Sequence, residues 1–182
     1  MQFQDTIIGK EIYQMIKISI IGPESSGKST LGVYLSRVLE CSLTLEYARE
    51  YLNNKNTYVF SDLRKISIKQ HSYYNDKIKE GGNYLVSDTC LIDIEVWSEI
   101  KYKKVDKKIL ELSKKEVYDI YILCSPDIPW YRDKLRENPE NRDLIFEHFK
   151  KKISSRKLNY HIVKGSLTER LMSCLDIIYK MK

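Results

Sequence analysis

Residues 15–30, "MIKISIIGPESSGKST", constrain this chain more than any other stretch. An apolar run rich in β-branched residues stops at Gly22-Pro23, which reads as a buried strand. The segment "GPESSGKS" then fits G-x-x-x-x-G-K-S/T from Gly22 to Ser29. Leu31, Leu35, Val38 and Leu39 follow at helical spacing and predict a helix from Ser29 to about Glu40. A loop of this kind between a strand and a helix is built to hold polyphosphate. Gly22 and Gly27 admit backbone conformations that turn successive N–H groups toward phosphate oxygens. The helix adds its positive N-terminal end. Lys28 can neutralise the β- and γ-phosphates of a nucleotide, and the Ser29 hydroxyl can ligate Mg²⁺. Gly22, Glu24, Ser25, Ser26, Gly27, Lys28, Ser29 and Thr30 are therefore the expected nucleotide seat. Glu24 is the odd member, an acid that repels phosphate unless it points away.

The remaining sequence alternates strands with helices. "SLTLEY", "NYLVSDT", "YDIYILC" and "NYHIVK" read as four further strands. Ser61 is expected to cap a helix with Leu63, Ile66, Gln70, Tyr73 and Tyr74 on one face, stopped by Gly81-Gly82. A later helix turns Ile92, Val96, Trp97 and Ile100 inward, with Trp97 read as core. Lys103 to Lys115 reads as a charged peripheral helix. Asn138-Pro139 reads as a cap and first-turn proline opening a helix to about Ser154. Ser166 and Glu169 have capping-box spacing before a last helix. Such alternation predicts an α/β domain with a mostly parallel five-stranded sheet and helices on both faces. The 182 residues suit a single core, with residues 1–14 as an N-terminal extension and 15–182 as the domain.

Composition excludes several classes. No window holds eighteen uncharged apolar residues, and the N-terminus has neither a basic start nor a continuous apolar run, so no membrane span or secretory signal is expected. Cys41, Cys90, Cys124 and Cys174 are widely spaced without a CxxC pair, which fits a reduced cytoplasmic setting. The formal charge of +6 comes from scattered lysines rather than a stripe, so no nucleic-acid surface is expected. His71, His148 and His161 lack metal-ligand spacing. "NKNT" at Asn54 lacks the aspartate of a GTPase base-reading element.

In an open parallel sheet, ligands gather beyond the carboxyl ends of the strands. Those ends carry Glu46-Tyr47 with Arg49, then Ser87-Asp88-Thr89, then the Pro126–Trp130 segment followed by Arg132, Arg136 and Arg142. Asp88 reads as the carboxylate that completes Mg²⁺ binding, and Glu46 as a general base for an attacking hydroxyl; the two roles are interchangeable at this level. Arg49 can anchor a substrate or pair with Glu46. Arg132 and Arg136 suit a short lid that stabilises charge on a transferring phosphoryl group. Trp130 can stack on a flat substrate, and Tyr47 can line the cleft. These parts favour transfer of phosphate to a small hydroxyl-bearing acceptor. A regulatory nucleotide-binding ATPase and a nucleic-acid-end kinase are the competing classes.

The stretches "GPESSGKSTL", "LEYAREYL", "SDTCLIDIEVWSEI", "YDIYILCSPDIPW" and "LRENPENRDLIFEHF" resemble the ribosylnicotinamide kinase domain of bacterial NadR-type proteins, from about Lys17 to Gly165. The resemblance implies the P-loop nucleoside triphosphate hydrolase fold. It also implies transfer of the γ-phosphate from Mg²⁺-ATP to the 5′-hydroxyl of nicotinamide riboside, giving nicotinamide mononucleotide. Glu46, Arg49, Asp88 and Trp130 fall on substrate- and metal-side motif positions, Arg136 and Arg142 on lid arginines, and Gln70 where the family often has glutamine. The chain departs from the family at Asp88-Thr89-Cys90, where Asp-Thr-Asp is common, so any contact from the second acid is absent. It has no room for an adenylyltransferase domain and no H-x-G-H-type motif, so a stand-alone kinase is expected. The implied partners are a small-molecule nucleoside, with no nucleic acid and no membrane; the oligomeric state, including a homo-oligomer, is left open.

Overall fold

The computed structural model describes residues 14–53, 55, 57–133 and 136–181. The expected N-terminal extension lies, but for Gln14, outside them. Five strands, β1 (Ile16–Ile21), β2 (Ser42–Thr44), β3 (Tyr84–Asp88), β4 (Ile120–Cys124) and β5 (Tyr160–Val163), form one parallel sheet in the order β2-β3-β1-β4-β5. Seven helices surround it among the described residues: α1 (Lys28–Val38), α2 (Tyr47–Leu52), α3 (Phe60–Glu80), α4 (Leu91–Tyr102), α5 (Lys107–Ser113), α6 (Arg142–Ser155) and α7 (Leu167–Tyr179). This is the α/β architecture that the strand–helix alternation predicts.

The central strands are apolar on both sides because helices cover both faces. Ile18, Ile20, Val86 and Ile122 pack with Leu31 and Leu35 of α1 and Cys174 and Ile178 of α7. Ile21, Leu85, Tyr121 and Leu123 pack with Tyr74 of α3, Ile92 and Val96 of α4, and Phe149 and Ile153 of α6. A third cluster joins α2 to α5 through Ala48, Leu52, Leu63, Ile66, Leu91, Ile94 and Ile109. Each fully buried Ile or Leu contributes about 1.5–3 kcal/mol. Register pairs Ile20 with Asp88 and Ile21 with Leu123, so the ends of β3 and β4 flank the loop that leaves β1.

Tertiary contacts reset several helix boundaries. The "SLTLEY" strand ends at Thr44, and α2, which strand patterning misses, follows it. Its signal is the i, i+4 spacing of the buried Ala48 and Leu52. Ser61 is not a cap, because Asp62 reaches back to accept from Val59 N at 3.0 Å, and the cap lies at Val59, two residues earlier. The charged 103–115 helix shrinks to α5, capped by Asp106, since Lys103 takes a left-handed φ of 56° that ends α4. Likewise α6 opens at Arg142, with Asn141 before it, rather than at Asn138-Pro139, and Asn138 instead gives its N–H to Glu24. The Ser166–Glu169 box caps α7 as its spacing predicts. Cys90, Cys124 and Cys174 are buried free thiols. No described helix is long and apolar enough to cross a membrane.

Candidate functional site

The loop from Gly22 to Ser29 crosses the carboxyl end of the sheet. Gly22 has φ 139°, and a Cβ there would lie 2.8 Å from the Cys124 carbonyl oxygen, so only glycine fits. Lys28 Nζ donates to Gly22 O at 2.7 Å and Pro23 O at 2.8 Å, which holds the ammonium across the mouth of the loop. Two arginines grip the loop from outside. Arg142 Nη1 donates to Ser25 O at 3.1 Å and Ile128 O at 2.9 Å. Arg170 of α7, buried, donates to Ser26 O at 2.7 Å, Gly165 O at 2.9 Å and Ser125 O at 3.1 Å, and pairs with Asp127. Sequence reasoning misses Arg170: it sits one turn after a helix cap, in no pattern that separates it from other basic residues.

The β2–β3 side of the loop is acidic. Asp88 is buried at the end of β3, its Oδ1 without a hydrogen-bond partner among the described residues. Burial pushes its carboxyl up, against a hydrogen bond from Ser29 and the charge of Lys28. Thr89 follows with φ 77°, a strained conformation for a β-branched residue, and its buried hydroxyl also lacks a partner among the described residues. Asp93, in the first turn of α4, accepts from Cys90 N at 3.1 Å and Gly22 N at 3.3 Å. Burial raises it to about 7 despite nearby Lys28. Burial likewise raises Glu46, opposed by Lys28 and Arg49. Arg49 bonds Glu46 at 3.0 Å and Asp133 at 3.2 Å, so it is paired on both sides. Gln70 is spent on the backbone, donating to Leu45 O at 3.2 Å and accepting from Tyr47 N at 2.8 Å, which fixes the turn into α2.

The β4–α6 connection closes the other side. Glu24 of the loop accepts from Trp130 Nε1 at 3.1 Å, Glu137 N at 2.9 Å and Asn138 N at 2.7 Å. Ser25 Oγ accepts from Tyr131 N at 3.1 Å. Arg136 donates to Tyr131 O at 2.6 Å through Nη1, while its Nε is buried without a partner among the described residues.

A cavity of about 190 Å³ unites these parts. Its polar wall is the loop with Glu46, Arg49, Gln70, Thr89, Asp93 and Arg136; its apolar wall is Ile66, Ile94, Val96, Trp97, Ile100, Ile145 and Phe149. Lys28, Ser29, Glu46, Arg49, Gln70 and Arg136 thus meet in one place, with Asp88 joined to them through Ser29. Trp97, expected in the core, is a cavity wall, its indole N–H held by Tyr58 at 2.7 Å. Tyr47, Trp130, Arg132 and Arg142 do not line the cavity. Tyr47 packs its ring against Tyr51 and Tyr73, and Arg132 is exposed. No cluster of three or more His, Cys, Asp or Glu that could hold a metal occurs among the described residues. Ser29 and the unpartnered Asp88 oxygen are hard donors that fit Mg²⁺, which keeps several waters and takes few protein ligands.

The family described as "AAA domain" matches residues 17–170. The trifunctional NAD biosynthesis/regulator protein NadR of Salmonella typhimurium is 22% identical over 173 residues, and that of Escherichia coli 23% over 177. Each match covers 90% of this chain and 42% of the relative, so the chain spans less than half the length of either. Among solved structures, a NadR protein in complex with NAD and AMP-PNP superposes with a TM-score of 0.76 at 17% identity, covering 91% of this chain and 49% of that one. A NadR protein in complex with NR gives 0.72 at 20% identity, with 91% and 51% covered. The deoxyadenosine kinase of M. mycoides gives 0.65 at 14% identity, with 91% and 100% covered.

Proposed function

The chain belongs to the AAA domain family, and from that premise we propose that it is an ATP-dependent kinase that phosphorylates the 5′-hydroxyl of nicotinamide riboside. One observation carries the reading: Glu46 and Asp93 line one cavity together with Lys28, Ser29 and Arg136, and the buried Asp88 reaches it through Ser29. A loop that only switches on hydrolysis has no need of an acceptor cavity with apolar walls.

The loop N–H groups and Lys28 hold the donor phosphates, with Lys28 leaving the Gly22 and Pro23 carbonyls to do so. Ser29 and Asp88 would hold Mg²⁺, which neutralises charge on the β- and γ-phosphates when bound. Glu46 or Asp88 accepts the proton of the attacking hydroxyl, and the raised affinity of both for protons suits a general base. Arg136 stabilises charge on the transferring group. Trp97 and the aliphatic wall bury the flat part of the acceptor and keep water out. Arg49 is already paired with two carboxylates, which favours an acceptor without a phosphate of its own.

The second reading is another nucleoside as acceptor. It is favoured by Cys90, which is buried at the cap of α4 and brings no carboxylate to the cavity. The test is ATP consumption with Mg²⁺ and nicotinamide riboside, a panel of nucleosides, an oligonucleotide, or no acceptor. Stimulation by nicotinamide riboside with formation of its 5′-monophosphate is expected. Consumption indifferent to every nucleoside, or raised by oligonucleotide alone, overturns the proposal.

A further inference from the structure

Glu24 brings a negative charge into a loop whose work is to hold anions, yet its carboxylate is fully engaged elsewhere. Among the described residues its three hydrogen bonds come from the β4–α6 connection: the Trp130 indole and the successive backbone N–H groups of Glu137 and Asn138. Adjacent N–H groups converging on a carboxylate form the kind of nest that binds anions, here within the chain. Bonds to an ionised acceptor are about twice as strong as neutral ones. The residue before this nest is Arg136, which lines the cavity and whose Nε is buried without a partner among the described residues. Arg136 is therefore fixed from both sides, by Tyr131 O on its own side chain and by Glu24 through the next peptide.

We propose that Glu24 is a positioning residue that seats Arg136 over the transferring phosphoryl group, acting on the reaction through that arginine rather than on the nucleotide. Its kinetic consequence rests on the phosphotransfer reading above; its structural consequence does not. A carboxylate is needed because it only accepts. In Glu24→Gln one oxygen becomes an NH₂, which meets at least one of the three donors head-on, so the seat loosens without a change of size.

The two accounts of Glu24 predict opposite kinetics. If the acid merely repels phosphate, Glu24→Gln lowers KM for ATP and leaves kcat unchanged. If it seats Arg136, kcat falls about tenfold or more, KM for ATP moves little, and a larger share of ATP is hydrolysed without transfer. Glu24→Gln with Arg136→Ala should then be no slower than Arg136→Ala alone, because the arginine that Glu24 serves is gone; additive losses overturn the proposal. The chain has two tryptophans, so in a Trp97→Phe background the emission reports Trp130 alone. Glu24→Gln should shift that emission to the red by freeing the indole N–H, with or without an acceptor. An unchanged spectrum together with unchanged kcat sinks the seating role. A shifted spectrum, where the natural chain with both tryptophans phosphorylates no acceptor, upholds the seat and refutes the kinase reading.

Discussion

The two sides of the cleft are built from opposite materials. Toward β2 and β3 stand Glu46, Asp88 and Asp93, each raised by burial, with polar atoms of Asp88 and Thr89 left without partners among the described residues. Toward β4 and β5, behind the loop rather than in the cavity wall, stand Arg142 and Arg170, whose hydrogen bonds go to backbone carbonyls and, for Arg170, also to Asp127. Buried polar groups without partners are costly, and proteins keep them where a ligand completes them. The acidic side holds that unspent capacity, whereas the basic side is scaffolding. Arg136 is the exception, a basic group with a buried unpartnered nitrogen that reaches into the cavity.

Four substitutions would break or sharpen this division. Lys28→Ala removes the cation that both sides share and should cost about 10²–10³-fold in turnover at saturating acceptor; retained turnover would dissolve the site altogether. Asp88→Asn strikes the unspent side and should cost about 10²-fold while moving the Mg²⁺ titration midpoint upward. An unmoved midpoint would make Asp88 part of the scaffold. Arg170→Lys strikes the scaffolding side: the charge stays, but one ammonium cannot span three carbonyls and Asp127. KM for ATP should rise about tenfold while KM for the acceptor stays constant, and equal rises in both would erase the distinction. Asp93→Asn gives the smallest effect, a pH dependence. An acid whose folded pKa is about 7 holds its proton longer than in the unfolded chain, so its ionisation lowers stability as pH rises from about 4 toward 7. Asparagine has no such loss. The Tm of the variant relative to the natural chain should therefore be higher at pH 8 than at pH 5, and a flat difference would mean that Asp93 ionises freely.

What the sequence disclosed and what it hid follow one physical rule. β1, β3, β4 and β5 are short apolar runs ended by Gly, Asp-Thr or Ser-Pro, and local chemistry suffices to read them. The phosphate loop is equally local. Glu24 is not: its partners lie more than a hundred residues away, so neither its orientation nor its purpose exists before the chain is folded. Asn138 likewise meets Glu24 only across that separation, and α6 starts later, at Arg142. Trp97 shows a further limit. Helical periodicity finds the face that avoids water, and a core and a cavity wall look alike by that measure. Gln70, singled out only by the family resemblance, lines the cavity, while its grip on the β2–α2 turn had no signal in the sequence.

The hold of Arg142 and Arg170 on the loop has a consequence for the direction of its dipoles. A trans peptide is planar, with its C=O and N–H pointing opposite ways. Drawing the Ser25 and Ser26 carbonyls outward turns the N–H groups of Ser26 and Gly27 inward, where phosphate oxygens are received. That orientation is set by folding, so an arriving nucleotide meets dipoles already aligned and spends little of its binding energy in turning them. Because Arg170 belongs to α7, the last helix of the fold, a loop made from residues 22–29 reaches its working shape only when residues near 170 have docked. Nucleotide affinity in this protein is thus a readout of whether the far end of the domain is in place.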